Sequence, residues 1–213
     1  MQMNELVGVV GAGSWGTALA WVLGQQGVPV RLWGRNREAI AHLAHERVNR
    51  RYLPDVHLPK SVQPTADLDT LDECPLLVLA VPSGAIREVA SHLPAGERLW
   101  VIAAKGLEPG TGKRLSEVVQ ETANMPLERL GVLSGPNLAA EIVRGIPTAT
   151  VAASINADAA EHVQQLFMTP TLRVYTNDDL IGVELGGALK NVYAIGAGVS
   201  DGLGFGDNTK GAL

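Results

Sequence analysis

Cysteine is nearly absent: Cys74 stands alone among 213 residues, so no intrachain disulfide can form and nothing asks for an oxidising compartment. Long basic runs are missing too. The 17 Lys and Arg are scattered among 22 Asp and Glu, giving a net charge of -5 and an isoelectric point near 5.5, which argues against nucleic acid or an anionic membrane surface as partner. No apolar stretch reaches the length of a membrane span, and residues 1–5 lack the basic start and apolar run of a secretory signal. A cytoplasmic location is therefore expected. Repeats, low-complexity tracts and disordered linkers are equally missing, and no metal site is expected.

What is present suits a folded α/β protein. A hydrophobic content of 46% is ordinary for a chain with a sizeable core. The 24 glycines exceed the usual ~7%, but they fall at element ends and act as turn punctuation. The short, wholly apolar run at 6–10 reads as a strand buried on both faces of a parallel sheet, and 28–33, 76–81 and 99–103 read as further strands. Weaker strands are expected at 62–66, 131–133, 148–152 and 172–175. Between them the apolar spacing predicts helices over 17–26, 37–46, 84–93, 113–122 and 157–167, while 48–64, with three prolines and several charges, reads as a surface excursion. This alternation predicts a doubly wound, Rossmann-like, mostly parallel sheet over 1–178.

After Asp178 the texture changes. Residues 179–199 carry one long helical pattern, with Asp178 or Asn177 as N-cap, so a domain boundary is expected at 178/179 and an all-helical second domain from 179 onward. The chain stops at Leu213 inside what reads as a further helix without a stop signal, which suggests a fragment.

Gly11-Ala12-Gly13-Ser14-Trp15-Gly16 fits G-x-G-x-x-G directly after a buried strand and directly before a helix, the context that gives this fingerprint its meaning. Gly11 would take the tight turn, Gly13 would leave room for a pyrophosphate, and Gly16 would let helix and strand approach. Backbone N–H groups near Ser14 and Trp15 would face the anion. The alternative is a glycine-rich turn with no ligand. The acid that usually grips the ribose 2′-hydroxyl ~20 residues on is missing, because the second strand ends Leu32-Trp33-Gly34-Arg35-Asn36. A guanidinium there suits a 2′-phosphate, so NADP is expected ahead of NAD, unless Arg35 is only a solvated turn charge.

Two lysines draw attention. Lys105 follows the strand at 99–103, at the carboxyl edge where open α/β sheets bind ligands; it could contact a substrate oxygen or the cofactor ribose, or be an ordinary loop lysine. Lys190 lies in a helix otherwise almost free of charge, where Gly187, Lys190, Asn191 and Ala194 fall on one face. A free lysine titrates near ~10.4, so desolvation of Lys190 and repulsion from a second cation such as Lys105 would both be needed to bring it into working range. The alternative is a lysine reaching from an apolar helix to solvent.

The series Gly11-Ala12-Gly13-Ser14-Trp15-Gly16-Thr17-Ala18, Ala104-Lys105-Gly106, Ser134-Gly135-Pro136-Asn137-Leu138-Ala139, Leu185-Gly186-Gly187-Ala188-Leu189-Lys190-Asn191-Val192 and Gly202-Leu203-Gly204-Phe205-Gly206-Asp207-Asn208-Thr209-Lys210 resembles the bacterial NAD(P)-dependent glycerol-3-phosphate dehydrogenases. The resemblance runs over the whole chain in order. It implies reversible hydride transfer between NAD(P)H and dihydroxyacetone phosphate, giving sn-glycerol 3-phosphate for phospholipid synthesis, in an enzyme that is a homodimer. By the same resemblance Lys190 is the proton donor and acceptor, Lys105 contacts substrate and cofactor, Gly135 and Asn137 touch the substrate, and Asn191 stands beside it. Ser14, Trp15, Arg35 and Ala139 would touch the cofactor, with Tyr52 as a further candidate.

Two departures qualify that carry-over. Position 137 is often Ser or Thr in this family and is Asn here. The family's Arg-Asn motif for the substrate phosphate, and a supporting Asp, lie beyond Leu213, so residues 1–213 alone are expected to bind cofactor and turn over poorly. Two other readings stay open: a β-hydroxyacid or sugar-nucleotide dehydrogenase of the same layout, and a non-enzymatic dinucleotide-binding module.

Overall fold

A computed structural model describes residues 5–213; of the N-terminal stretch read above, 1–4 lie outside the described residues. The elements follow in the order β1 (Val7–Val10), α1 (Ser14–Gln25), β2 (Val30–Trp33), α2 (Arg37–Glu46), β3 (Val48–Asn49), β4 (Leu53–His57), β5 (Val62–Thr65), β6 (Leu76–Leu79), α3 (Ile86–Ala90), β7 (Leu99–Ile102), α4 (Leu115–Ala123), β8 (Leu130–Ser134), α5 (Ala139–Val143), β9 (Thr148–Ala153), α6 (Ala157–Phe167), β10 (Leu172–Asn177), α7 (Leu180–Gly202) and α8 (Asp207–Ala212).

Eight strands form one sheet in the order β10-β9-β8-β7-β6-β1-β2-β5. Every neighbouring pair is parallel except β8 with β9, so β9 and β10 run against the rest. The chain first winds outward from β1 through β2 to β5, then crosses back to β6 and winds the other way through β7 to β8. β1 therefore stands where the winding reverses. Residues leaving its carboxyl end open into a crevice between the two halves.

The strands are apolar because both faces are covered. Along β1 and β6, Val7, Val9, Leu76 and Val78 point into a layer shared with Leu19 and Leu23 of α1, Ile40 and Leu43 of α2, and Leu166 and Phe167 of α6. Val10, Leu77 and Leu79 point the other way, against Ile86 of α3, Leu115, Val118 and Val119 of α4, and Leu180 of α7. Alternating strand residues thus fill two layers, as the period of two requires.

Several boundaries differ from the sequence reading, each for a local reason. The helix expected at 17–26 starts at Ser14, because Gly13 takes an extended N-cap conformation and the fingerprint residues themselves form the first turn. The excursion at 48–64 contains the hairpin β3–β4, whose ladder is irregular between Val48 and Asn49; a bulged, charged hairpin has no clean alternation to read. The helix expected at 84–93 is a 3-10 turn followed by only Ile86–Ala90. That expected at 113–122 begins at Leu115, since Leu107 bridges Arg114 and the Glu108 N–H donates to the Lys113 carbonyl, holding 108–113 as a turn. α5 was not anticipated.

The cap of α7 also needs correcting: it is Asp179, whose carboxylate accepts from the Gly182 N–H at 2.7 Å, while Asn177 accepts from Asp179 itself. α7 then runs unbroken to Gly202. Its first half packs on the ends of β8 and β9, whereas Leu189, Val192, Tyr193, Ile195 and Val199 beyond are exposed. At the opposite end of the sheet, edge strand β5 carries Pro64 opposite Leu32 of β2. No helix among the described residues is long and apolar enough to cross a membrane.

Candidate functional site

The glycine turn has the shape its spacing implies. Gly11 sits at φ +122°, and a Cβ there would come within 2.8 Å of the Ala80 backbone on β6's carboxyl end. Glycine alone accepts both conditions. A Cβ at Gly16 would overlap the Gly11 carbonyl oxygen, so α1 can lie this close to β1 only without a side chain there. Gly13 differs: a Cβ at that position meets nothing within 4 Å. Space is thus left open over Gly13, at the amino end of α1, where no side chain caps the first turn. First-turn N–H groups without intrahelical partners, facing an open space, make a fitting cradle for a pyrophosphate.

Two braces hold this turn, and neither was read from sequence. The Trp15 indole Nε1–H donates to the Ala103 carbonyl at 3.0 Å, tying α1 to the end of β7. The Asn49 amide, from β3, donates to the Ala12 carbonyl at 3.1 Å and to Thr17 Oγ1 at 2.8 Å. Asn49 is buried, so its donors must be spent inside the protein. An asparagine in a charged hairpin gives no sequence signal of this reach.

Arg35 lies two residues beyond β2 and is exposed, with no ion-pair or side-chain hydrogen-bond partner among the described residues. The Gly11 N–H donates to the Trp33 carbonyl at 2.9 Å, which sets the two strand ends side by side. Arg35 thus leaves the sheet beside the glycine turn. Tyr52 is exposed in the turn between β3 and β4, where the Arg51 guanidinium stands 5.2 Å from its ring centre. Among the described residues no hydrogen bond joins Tyr52 to the other candidate residues.

Lys105 follows β7 by three residues and is half-buried. Its Nζ donates to the Gly135 carbonyl at 2.6 Å. Burial, and next the nearby Lys190 ammonium, push Lys105 down from 10.5 to about 8. Gly135 follows β8; a Cβ there would come within 2.9 Å of Ala149 O and of the Thr150 Cα, so the chain hugs β9. Asn137 turns inward, its Nδ2 donating to the Ala149 carbonyl at 2.8 Å, while its Oδ1 is buried without a partner. Ala139 opens α5 just beyond.

α7 completes the cluster. A Cβ at Gly187 would stand 2.5 Å from Ser134 Oγ and 3.8 Å from Lys105 Cγ, so the absent side chain is what lets the helix reach the end of β8. One turn on, Lys190 projects beside Lys105, and both Lys190 and Asn191 are exposed. The expectation that desolvation falls on Lys190 is therefore overturned. α7 lies over the Lys105 stem instead, and burial lowers the Lys105 pKa.

Sequence reasoning also missed Glu184, a buried carboxylate one turn before Gly187. It accepts from the Ser116 N–H at 2.8 Å and from Ser116 Oγ at 2.6 Å, at the amino end of α4. A lone acid in an otherwise apolar helical stretch was the available signal. An open cleft of about 530 Å³ near the start of β9 and β10, lined by Thr148, Thr169, Thr171 and Arg173 among others, contains none of the candidate residues.

The strand order, the glycine turn at the reversal point and the ligand edge beside it define a Rossmann-like α/β protein. Residues 6–160 match the family model of the NAD-dependent glycerol-3-phosphate dehydrogenase N-terminus, and residues 179–213 that of the C-terminus. The chain belongs to the NAD-dependent glycerol-3-phosphate dehydrogenase family.

Among curated relatives, glycerol-3-phosphate dehydrogenase [NAD(P)+] of Desulfitobacterium hafniense is 52% identical over 210 residues, covering 97% of this chain and 59% of the relative. The Moorella thermoacetica enzyme of the same name is 50% identical over 216 residues, covering 99% and 63%. The crystal structure of glycerol-3-phosphate dehydrogenase from Coxiella burnetii superposes with a TM-score of 0.87 at 37% identity, covering 98% of this chain and 65% of that one. The chain thus spans rather less than two thirds of the length of the relatives it matches.

Proposed function

We propose that this chain carries the dinucleotide site and the proton-transfer lysine of an NAD(P)-dependent glycerol-3-phosphate dehydrogenase, interconverting dihydroxyacetone phosphate and sn-glycerol 3-phosphate for phospholipid synthesis. The observation that carries the reading is the pairing of Lys105 with Lys190 at the sheet edge, joined through Ala103 and Trp15 to a glycine turn with open space over Gly13.

In this reading Gly11, Gly13 and Gly16 shape the turn, and the N–H groups of Ser14 and Trp15 hold the pyrophosphate. Arg35 meets the ribose 2′-phosphate, which favours NADP over NAD. Ala139 and Tyr52 border the dinucleotide. A bound nicotinamide supplies or accepts the hydride at the substrate carbon. Lys105, fixed by the Gly135 carbonyl, holds the substrate oxygen together with Lys190, so two cations face the atom on which negative charge grows. Lys190 delivers its proton to that oxygen in reduction and takes it back in oxidation; its exposure lets it exchange protons with solvent. Gly135, Asn137 and Asn191 line the same space. For Asn137 to bond the substrate, its buried, unpartnered Oδ1 is the free atom.

The reading further divides the chain into a dinucleotide-binding unit, 1–178, and the beginning of a helical substrate unit, 179–213, in a cytoplasmic homodimer. The test is Lys190→Ala in the full-length enzyme: kcat should fall roughly 10²–10⁴-fold, the usual range for a lost general acid, with cofactor Kd unchanged. Undiminished turnover would refute the assignment.

A further inference from the structure

Glu184 is the one charged residue in the first half of α7 before Lys190, and its side chain is only 3% exposed. A polar side chain so placed must find its hydrogen-bond donors inside the protein. The donors all come from one place. Oε1 accepts from the Ser116 backbone N–H at 2.8 Å, Oε2 accepts from Ser116 Oγ at 2.6 Å, and the Arg114 guanidinium stands 3.5 Å away. These groups form the amino end of α4, where a helix offers partial positive charge to an anion. Arg114 is held in turn by Glu117 at 2.9 Å, so the receptor for the carboxylate is itself fixed.

A second fixed point lies one turn on, where Gly187 lets α7 touch Ser134 and the Lys105 stem. Two points on one helix settle both its axis and its rotation. Lys190 is six residues past Glu184, roughly 9 Å along the axis at ~1.5 Å per residue. A tilt or slide at the Glu184 end therefore moves the ammonium relative to the sheet edge. The anchor resists such movement, because any displacement leaves buried carboxyl oxygens without their donors.

We infer that Glu184 is a positioning residue for the lysine pair: by bonding Ser116 and Arg114 at the start of α4, it sets where α7 holds Lys190 against Lys105. The inference rests on the proposed role of these lysines, but its test does not. The groups acting on Lys105 are the Gly135 carbonyl from the β8 end and Lys190 from α7, and the cover over its stem is α7 itself. The titration of Lys105 thus reports the seat of α7 directly.

The experiment follows Lys105 by NMR after reductive 13C-methylation of the folded chain, its signal assigned with Lys105→Arg. In Glu184→Ala the Lys105 midpoint should rise toward 10.5, and in Glu184→Gln, which keeps one acceptor for the Ser116 N–H, it should rise less. Leu43→Ala, a cavity under α2 in the layer on the other face of the sheet, should leave the midpoint in place, which separates positioning from general loosening. Should Glu184→Ala fail to fold, Ser116→Ala removes the hydroxyl contact alone and should produce a smaller rise in the same direction. An unmoved midpoint in any folded variant that breaks the anchor would overturn the inference. Loss of the proposed catalysis is read separately, by Lys190→Ala turnover, so the two ideas can fail independently.

Discussion

The Trp15 indole N–H donates to the carbonyl oxygen of Ala103 at 3.0 Å, across 88 residues of sequence. This one bond joins the first turn of α1 to the strand that leads into Lys105. The two halves of the proposed site, phosphate cradle and cation pair, therefore share a fixed spacing. In Trp15→Phe the ring volume is largely kept while the donor is lost. Stability should fall by about 1 kcal/mol, the usual net value of such a bond, and KM for the nicotinamide cofactor should rise; a denaturation curve and a steady-state titration check both.

The glycines of the turn should separate by role. Gly16→Ala places a methyl group on the Gly11 carbonyl and should destabilise the fold by ~3 kcal/mol, the upper end of ordinary over-packing costs. Gly13→Ala meets no protein atom, so its melting temperature should stay close to the parent. Its methyl group takes the open space instead, and dinucleotide Kd should weaken by roughly tenfold or more, equivalent to about 1.4 kcal/mol. Equal melting losses in the two variants would contradict this division.

Arg35 has no ion-pair or side-chain hydrogen-bond partner among the described residues and stands beside the glycine turn. Arg35→Asp should weaken NADPH binding by about tenfold to a hundredfold, as expected for a lost hydrogen bond to a charged group worth about 1.5–3 kcal/mol. NADH binding should hold or improve. Paired fluorescence titrations with the two cofactors give the ratio, and a ratio unmoved by the swap would remove Arg35 from the site.

Lys105 links stability to pH. Its pKa is lowered in the folded chain to about 8 from 10.5, so between these values the unfolded chain binds a proton that the folded chain does not. Stability from this group therefore rises as pH climbs from about 8 to 10.5, and below pH 8 the buried cation is a standing cost. In Lys105→Met that rise should vanish. Urea denaturation at several pH values compares the two slopes.

Much of the architecture was readable because its signals are local. The boundaries of α2 and α6 agree with the sequence pattern, since Asn36 and Asn156 each cap a clean apolar stripe. The apolar runs of β1, β6 and β7 announced a doubly covered sheet. α5 escaped because it has five residues and Leu138 as its N-cap, which carries no capping side chain. The hairpin β3–β4 escaped for want of alternation. At the site, the glycine spacing, Arg35 and both lysines were visible as residue types in the right order. What could not be read was which lysine is covered: that depends on the absence of a side chain at Gly187, a contact made across the fold. Glu184 and Asn49 were hidden for the same reason, as their partners are 68 and 32–37 residues away.

Pro64 has a consequence for association. Because β5 keeps its pairing with β2, the proline nitrogen must face away from the sheet, where a newly arriving strand would look for a donor and find none. Lateral growth is blocked at that margin. The far margin is closed by other means: on β10 the outward Leu172 N–H donates to Thr169 Oγ1 at 2.9 Å, and the Val174 carbonyl accepts from Gln164 Nε2 at 2.8 Å, so side chains of the same molecule already occupy the places an added strand would need.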